Sequence, residues 1–299
     1  MYDLIIVGAG PAGITASVYA ARKKMDFLVV TGDIGGQTAW SGDIGNYTGY
    51  QFITGPDLVG KFEEHMFSYN TSVREGEVVT EVAKAGEIVL VKTTKASYQA
   101  KAVIVASGKR SRELGVPGEK EYKNKGISYC ATCDGPLFSA KNVAIIGGGN
   151  SALDAALQLI KIAKYTYIIN NAPELGGDAL IRQRIEEAHN VEILNKAEVT
   201  AVLGARMVNA VKVNYGGEEK MLSVEGVFVE IGLIPNADFV KGVEKNSRAE
   251  IKVNSHNETN IPGIFAAGDV TDVPEKQIIV AAGEGAKACL AAFRYAAQH

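Results

Sequence analysis

Cysteine is scarce, with three in 299 residues. An odd, low count excludes a secreted scaffold stapled by disulfides. In a reducing compartment a close pair is more often catalytic or metal-binding than structural. Charge of one sign is lacking too. Lysine and arginine number 31 against 34 acidic residues, a net charge of -3, so a polyanion-binding face and a nucleic-acid partner are not expected. No window offers about 18 consecutive apolar residues, which excludes a membrane-spanning helix from the reading. The first apolar stretch runs straight into Gly8 without a basic leader or cleavage-like segment, so no signal peptide is expected and the chain reads as cytoplasmic.

Glycine, by contrast, is abundant. There are 33, about 11% of the chain against roughly 7% on average, and they cluster in short motifs. The first is Gly8-Ala9-Gly10-Pro11-Ala12-Gly13. Gly8 permits a tight turn, Gly10 lets the backbone approach a pyrophosphate, and Gly13 permits close helix–strand packing. The helix that follows turns its positive end toward the phosphates. A bare run of this kind is often only a turn. Here an apolar strand at residues 4–7, a helix over 14–22 and a second strand at 27–30 complete a βαβ unit. The acidic ribose partner usual in such units is missing from the strand end, where Thr31 and Gly32 stand, with Asp33 just beyond.

The pattern recurs. A strand at 142–146 enters Gly147-Gly148-Gly149-Asn150-Ser151-Ala152, followed by a helix over 153–162 and a strand at 167–169. Later apolar segments at 102–108 and 226–232 echo each unit, and turn-rich stretches at 115–119 and 232–236 divide them. The chain then reaches Ala266-Ala267-Gly268-Asp269 and an apolar helix over 277–297. The spacing predicts an α/β fold of two Rossmann-like, three-layer ββα dinucleotide-binding domains, the second inserted in the first. Residues 1–112 and 244–299 form one, and residues 113–243 form the other.

Cys130-Ala131-Thr132-Cys133 has the spacing that closes a small disulfide ring, in which one sulfur often has a depressed pKa and serves as a usable thiolate. The competing reading is half of a zinc site. That needs two more ligands, and Cys289 stands alone while the four histidines are scattered. Asp134 adjoins the pair, either as an acid–base group for the thiols or as a turn-capping residue before Gly135-Pro136. Cys289, in an apolar helix, reads as core.

Tyr129-Cys130-Ala131-Thr132-Cys133-Asp134-Gly135 resembles the active-site signature of low-molecular-weight thioredoxin reductases. It is also similar to the flavoprotein core of bacterial alkyl hydroperoxide reductase (AhpF-like). The likeness covers essentially the whole chain, through Gly35-Gly36-Gln37, Asn46-Tyr47, Val116-Pro117-Gly118-Glu119, the second glycine turn, Ala266-Ala267-Gly268-Asp269 and Lys276-Gln277-Ile278-Ile279. It implies FAD held by Gly8, Gly10, Pro11, Ala12, Gly13, Gly35, Gln37, Asn46, Ala106, Gly108, Gly268, Asp269, Gln277 and Ile278. Asp269 would accept from a ribityl hydroxyl. Cys133 would be the sulfur nearest the flavin and Cys130 the interchange thiol that attacks a partner disulfide. The resemblance further implies a homodimer, an inserted domain that rotates, and a thioredoxin or glutaredoxin-like protein as partner.

One window departs from the family. The second phosphate turn survives, so Gly147, Gly149, Asn150 and Ser151 are candidates for holding NAD. NADPH enzymes of the family then carry a His-Arg-Arg run that pairs with the 2′-phosphate. Here the chain reads Asn170-Asn171-Ala172-Pro173-Glu174-Leu175-Gly176-Gly177, without a basic residue. The expectation is loss of NADPH preference. NADH is one replacement, with Asn170 or Asn171 on the ribose hydroxyls, and a non-nicotinamide donor such as ferredoxin is another. A third reading lets Arg182 or Arg184 restore the charge from the next helix. The function expected is thioredoxin-disulfide reduction. The alternative is a dithiol oxidase that forms disulfides with oxygen as acceptor.

Overall fold

The computed structural model describes residues 1–41 and 43–299; the side chains of Trp40, Asp43 and Cys133 lie outside the described set. The chain forms two compact units, residues 1–110 with 234–299, and residues 111–233.

In the first unit the strand Tyr2–Ala9 lies between Phe27–Ile34 and Ser97–Val105, parallel to both. Its alternate residues go to opposite faces, as period-2 geometry requires. Leu4 and Ile6 pack with the helices Pro11–Arg22 and Ile278–Ala296, while Ile5 and Val7 pack with Val82, Val89 and Val91 of an antiparallel extension. Both faces are covered, which is why the strand reads as an unbroken apolar run. Besides Tyr2–Ala9, Ser97–Val105 serves two further partners: its start pairs antiparallel with Ile88–Thr93 and its end pairs parallel with Ile264–Ala266. The C-terminal segment thereby completes the sheet that the N-terminus begins.

The second unit repeats the plan. Five parallel strands run in the order Ile127–Ser128, Gly226–Val229, Asn142–Ile146, Tyr165–Asn170, Val191–Asn195. Val143 and Ile145 face the helices, whereas Ala144 and Ile146 face the antiparallel sheet Ala197–Gly204, Val208–Tyr215, Glu218–Ser223.

Two details differ from the sequence reading. The return to the first unit falls at Leu233/Ile234, ten residues before the expected boundary at 243/244. Residues 234–243 belong to the first unit because Ala237, Val240 and Val243 fill its core beside Val82. Asn236 makes the transfer, its side chain donating to Ser107 O at 2.9 Å and its N–H to Gly108 O at 2.9 Å. The first helix also starts earlier than expected, at Pro11. A proline at the first helical position gives up no needed donor and presets φ, so Ala12 and Gly13 are already helical.

Candidate functional site

The glycine turn of the first unit is built by backbone crowding. Gly8 has φ +102° and a Cβ there would lie 2.4 Å from Ala106 O. A Cβ on Gly13 would lie 1.9 Å from Gly8 O. These two glycines are required by the protein itself. Gly10 is different, because a Cβ there would meet nothing nearer than Gly35 O at 4.0 Å. The open space over Gly10 is room for something the chain does not supply. Gly268 closes the far side, where its Cβ would sit 3.1 Å from Ala12 Cβ. The helix Ile278–Ala296 crosses Pro11–Arg22 at Gly285, whose Cβ would meet Ala12 O at 2.0 Å. Sequence positions more than 250 residues apart thus meet at one turn.

The remaining first-unit candidates surround it. Gln37 Nε2 donates to Lys109 O at 2.8 Å, next to Gly108. Asn46 Nδ2 donates to Gln277 Oε1 at 2.9 Å, just before the helix that opens at Ile278. Thr31, at the place of the missing ribose acid, accepts from Ala9 N at 3.1 Å and donates to Asp33 O, so it braces the turn. Asp33 itself is exposed. Asp269 is half-buried and receives no hydrogen bond from another described residue. Burial raises its pKa, against the opposing pull of Lys276 and Lys109. A desolvated carboxyl without a protein donor calls for a donor from elsewhere. Both this carboxyl and the space over Gly10 fit a dinucleotide with a hydroxylated chain, which FAD possesses.

Behind Asp269 lies a network that no motif announced. Glu250, 1% exposed, accepts from Lys109 Nζ at 2.9 Å and from Asn246 Nδ2 at 2.6 Å, with Lys276 Nζ at 3.4 Å. Burial acts to raise this carboxyl, yet Asn246, Lys109 and Lys276 together hold it down to about 2.

In the second unit Cys130 is disulfide-bonded. Its partner thiol expected from the sequence, Cys133, belongs to the side chains outside the described set. Ser128 Oγ accepts from Cys130 N at 3.0 Å and donates to Cys130 O at 3.1 Å. Asp134 N donates to Cys130 O at 3.1 Å, closing the turn Ala131–Asp134. Tyr129 is anchored from below, its hydroxyl donating to Glu119 Oε1 at 2.7 Å. Glu119, 2% exposed, also takes the N–H groups of Leu114 and Gly115. Burial beside this carboxylate pushes the Tyr129 phenol up, so it stays a donor. Cys289 is free and buried, and burial pushes its thiol up to about 12, which makes it inert core. Among the described residues no group of three or more His, Cys, Asp or Glu could hold a metal ion.

The second glycine turn follows the same logic. Gly147 has φ +133° and a Cβ would lie 2.3 Å from Glu230 O, while Gly149 has nothing within 4 Å. Gly149, Asn150 and Ser151 are exposed at the start of the helix Asn150–Leu159. Asn150 Oδ1 accepts from Asp178 N at 3.0 Å, and Gly176 N donates to Gly148 O at 2.7 Å, so the loop after the strand Tyr165–Asn170 folds against the turn. Asn170 does not face a ribose. It is 3% exposed, its Nδ2 donating to Glu174 O at 2.8 Å and Asn195 Oδ1 at 2.9 Å, its Oδ1 accepting from Ala172 N at 3.2 Å. The amide is spent on holding the loop, and Asn171 is left exposed. Arg182 Nη1 is tied to Leu175 O at 2.8 Å, and Arg184 is exposed on the same helix.

Glu230 is the residue that sequence reasoning missed. It ends the apolar strand Gly226–Val229 and donates its N–H to Ile146 O at 2.8 Å. Its half-buried carboxyl is raised by burial to about 7, with the Ala131 N–H pulling it down and Asp154 pushing it up. The signal was available, a lone acid closing an otherwise apolar run.

Two glycine-cradled dinucleotide units, one carrying a disulfide beside its parallel sheet, define a nucleotide-dependent disulfide oxidoreductase. The chain belongs to the pyridine nucleotide-disulphide oxidoreductase family, whose model matches residues 2–285. It is therefore an oxidoreductase and flavoprotein of thioredoxin-reductase-like, Rossmann-type fold. The F subunit of the alkyl hydroperoxide reductase of Pseudomonas putida is 43% identical over 299 residues, 98% of this chain and 58% of that protein. The chain thus spans little more than half the length of that relative. The thioredoxin reductase of Lactococcus lactis, solved in the FR conformation, is 33% identical with TM-score 0.89 and full coverage of both chains. That of T. acidophilum is 39% identical with TM-score 0.85, covering 98% of each.

The contrast between Gly10 and Gly13 is testable. Gly10→Ala is expected to keep the thermal midpoint but purify with less than about a tenth of its flavin, because the added methyl meets only the approaching ligand. Gly13→Ala is expected to lose both, since the clash is with backbone. Flavin absorbance per protein and thermal melting read the two effects. A Gly10→Ala protein with full flavin would remove Gly10 from the site.

Proposed function

We propose that the chain is an FAD-dependent disulfide reductase that passes electrons through the Cys130/Cys133 disulfide to a thioredoxin or glutaredoxin-like protein. The donor is NADH or a non-nicotinamide reductant such as ferredoxin rather than NADPH. The observation that carries the second statement is the Asn170 amide, committed to Ala172, Glu174 and Asn195 in a loop without a free basic group. A 2′-phosphate there would be desolvated without its ionic partner, a loss of a few kcal/mol.

Gly8, Gly10, Pro11, Ala12, Gly13 and Gly35 hold the pyrophosphate side of the flavin nucleotide in this reading. Asp269 takes a hydroxyl of its polyol. Gln37, Asn46, Ala106, Gly108, Gly268, Gln277 and Ile278 line the rest. Bound there, FAD supplies the two-electron carrier between the donor and the disulfide. Gly147, Gly149, Asn150 and Ser151 hold a dinucleotide diphosphate when NADH is the donor. Cys130 attacks the partner disulfide, Cys133 takes electrons on the flavin side, and Asp134 exchanges protons with the thiols. The working form is a homodimer, and its location is the cytoplasm. Among the described residues no helix is long and apolar enough to cross a membrane.

Anaerobic mixing of the holoprotein with NADPH, NADH and reduced ferredoxin, each followed by flavin absorbance, tests the donor. NADH or ferredoxin is expected to bleach the flavin at least about tenfold faster than NADPH, one missing ionic contact being worth more than that ratio. Rapid bleaching by micromolar NADPH overturns the reading of the Asn170 loop.

A further inference from the structure

We propose that Glu230 is a positioning residue for the Cys130 disulfide, its carboxyl set against the Ala131 N–H so that its charge state governs how readily the reduced cysteines ionise. The inference rests on the reading of Cys130 as redox-active.

The geometry comes from strand register. Ile127 pairs with Val227 and Ser128 with Phe228 in a parallel ladder. The chain continues from Ser128 through Tyr129 and Cys130 to Ala131, while the neighbouring strand continues from Phe228 through Val229 to Glu230. Parallel strands carry both segments off the same end of the sheet. The Ala131 N–H consequently interacts with the Glu230 carboxyl. On the other side the Glu230 backbone lies against Gly147, where a Cβ would sit 2.3 Å from Glu230 O. The charged group facing Glu230 from the helix Asn150–Leu159 is Asp154. The strand Asn142–Ile146 meets it through backbone, at Ile146 O. The cysteine turn carries Asp134.

Glu230 interacts with Asp154 and with the N–H of Ala131, the residue after Cys130, so a thiolate formed in that turn adds a like charge to the pair of acids. Reduction breaks the S–S bond with two electrons and two protons, both supplied by a dithiol such as dithiothreitol, which closes to its own cyclic disulfide. A thiol formed in the cysteine turn then ionises. With Glu230 protonated, that thiolate has no opposing charge at this position. With Glu230 ionised, each anion raises the pKa of the other. Burial places the Glu230 titration at about 7, so the switch operates near neutrality.

The test is the pH profile of cysteine alkylation in the reduced holoprotein, read by mass, for wild type and Glu230→Gln. Glutamine keeps an acceptor for the Ala131 N–H and removes the charge, so a merely structural role leaves the profile unmoved. At pH 6 the two proteins are expected to react alike. At pH 8 Glu230→Gln is expected to alkylate about threefold faster or more, as its thiol escapes the carboxylate. The equilibrium of the disulfide with a dithiothreitol redox buffer should shift the same way, toward the reduced form by about threefold at pH 8 and not at pH 6. Superimposable profiles in both measurements overturn the proposal. A disulfide that dithiothreitol opens in neither protein overturns the redox reading of Cys130 itself, a result distinct from the first.

Discussion

Cys130→Ser is expected to lower turnover with a thioredoxin-like disulfide by roughly a thousandfold or more while leaving the flavin reducible by its donor. Disulfide exchange proceeds by thiolate attack through a mixed disulfide, and a serine hydroxyl does not ionise near neutrality. The local fold should survive the change. Cys130 is fixed by backbone bonds, from its N–H to Ser128 Oγ and from Ser128 Oγ and Asp134 N to its carbonyl. Serine preserves all of them, exchanging sulfur for oxygen and leaving the disulfide open. Stopped-flow reduction of the flavin and steady-state reduction of thioredoxin separate the two halves of the reaction. If the variant kept full turnover, the role given to Cys130 would be wrong.

The frame of the molecule was legible because its constraints are local. The glycine turns follow apolar strands and precede helices, and the clashes at Gly8, Gly13 and Gly147 explain why each residue there is glycine. The CxxC spacing is equally local. What the sequence hid depends on residues that meet only after folding. Residues 234–243 look like a continuation of the inserted unit until Val240 is seen beside Val82. Asn170 stands where a ribose partner belongs, and only its bonds to Glu174 and Asn195 show that it serves the loop. Glu230 carries no motif, and its character comes from a parallel register that sets it against Ala131. Glu250 gathers lysines from positions 109 and 276, a pairing that no spacing rule reaches.

That network sets the largest stability effect. Glu250→Gln is expected to destabilise the first unit by about 3 kcal/mol at pH 7, because removing the anion strips the buried Lys109 and Lys276 of the carboxylate they contact directly. Lys109 and Lys276 retain only 12% and 23% of their side-chain exposure, so water cannot take the place of the carboxylate. Arg248, 71% exposed, loses little. The pH dependence follows from the direction in which the fold moves the carboxyl. Glu250 is held at about 2 in the fold, below its ordinary value of 4.5. Its contribution is therefore present above about pH 4.5 and is lost as the pH falls toward 2. The wild-type advantage over Glu250→Gln should be constant from pH 7 to 5 and narrow below that. Each tenfold change in proton affinity between the folded and unfolded chain is worth about 1.4 kcal/mol, which gives the same total as the direct loss of the ion pair. Denaturant unfolding of both proteins between pH 7 and 3.5, followed by a probe in the first unit, measures the gap. Equal stability at pH 7 would mean that the glutamine amide satisfies the lysines as well as the carboxylate does. A gap that stayed fixed down to pH 3.5 would detach the effect from Glu250 ionisation. Flavin content need not fall in step, since Asp269 keeps both lysines as its counter-charges when Glu250 is neutral.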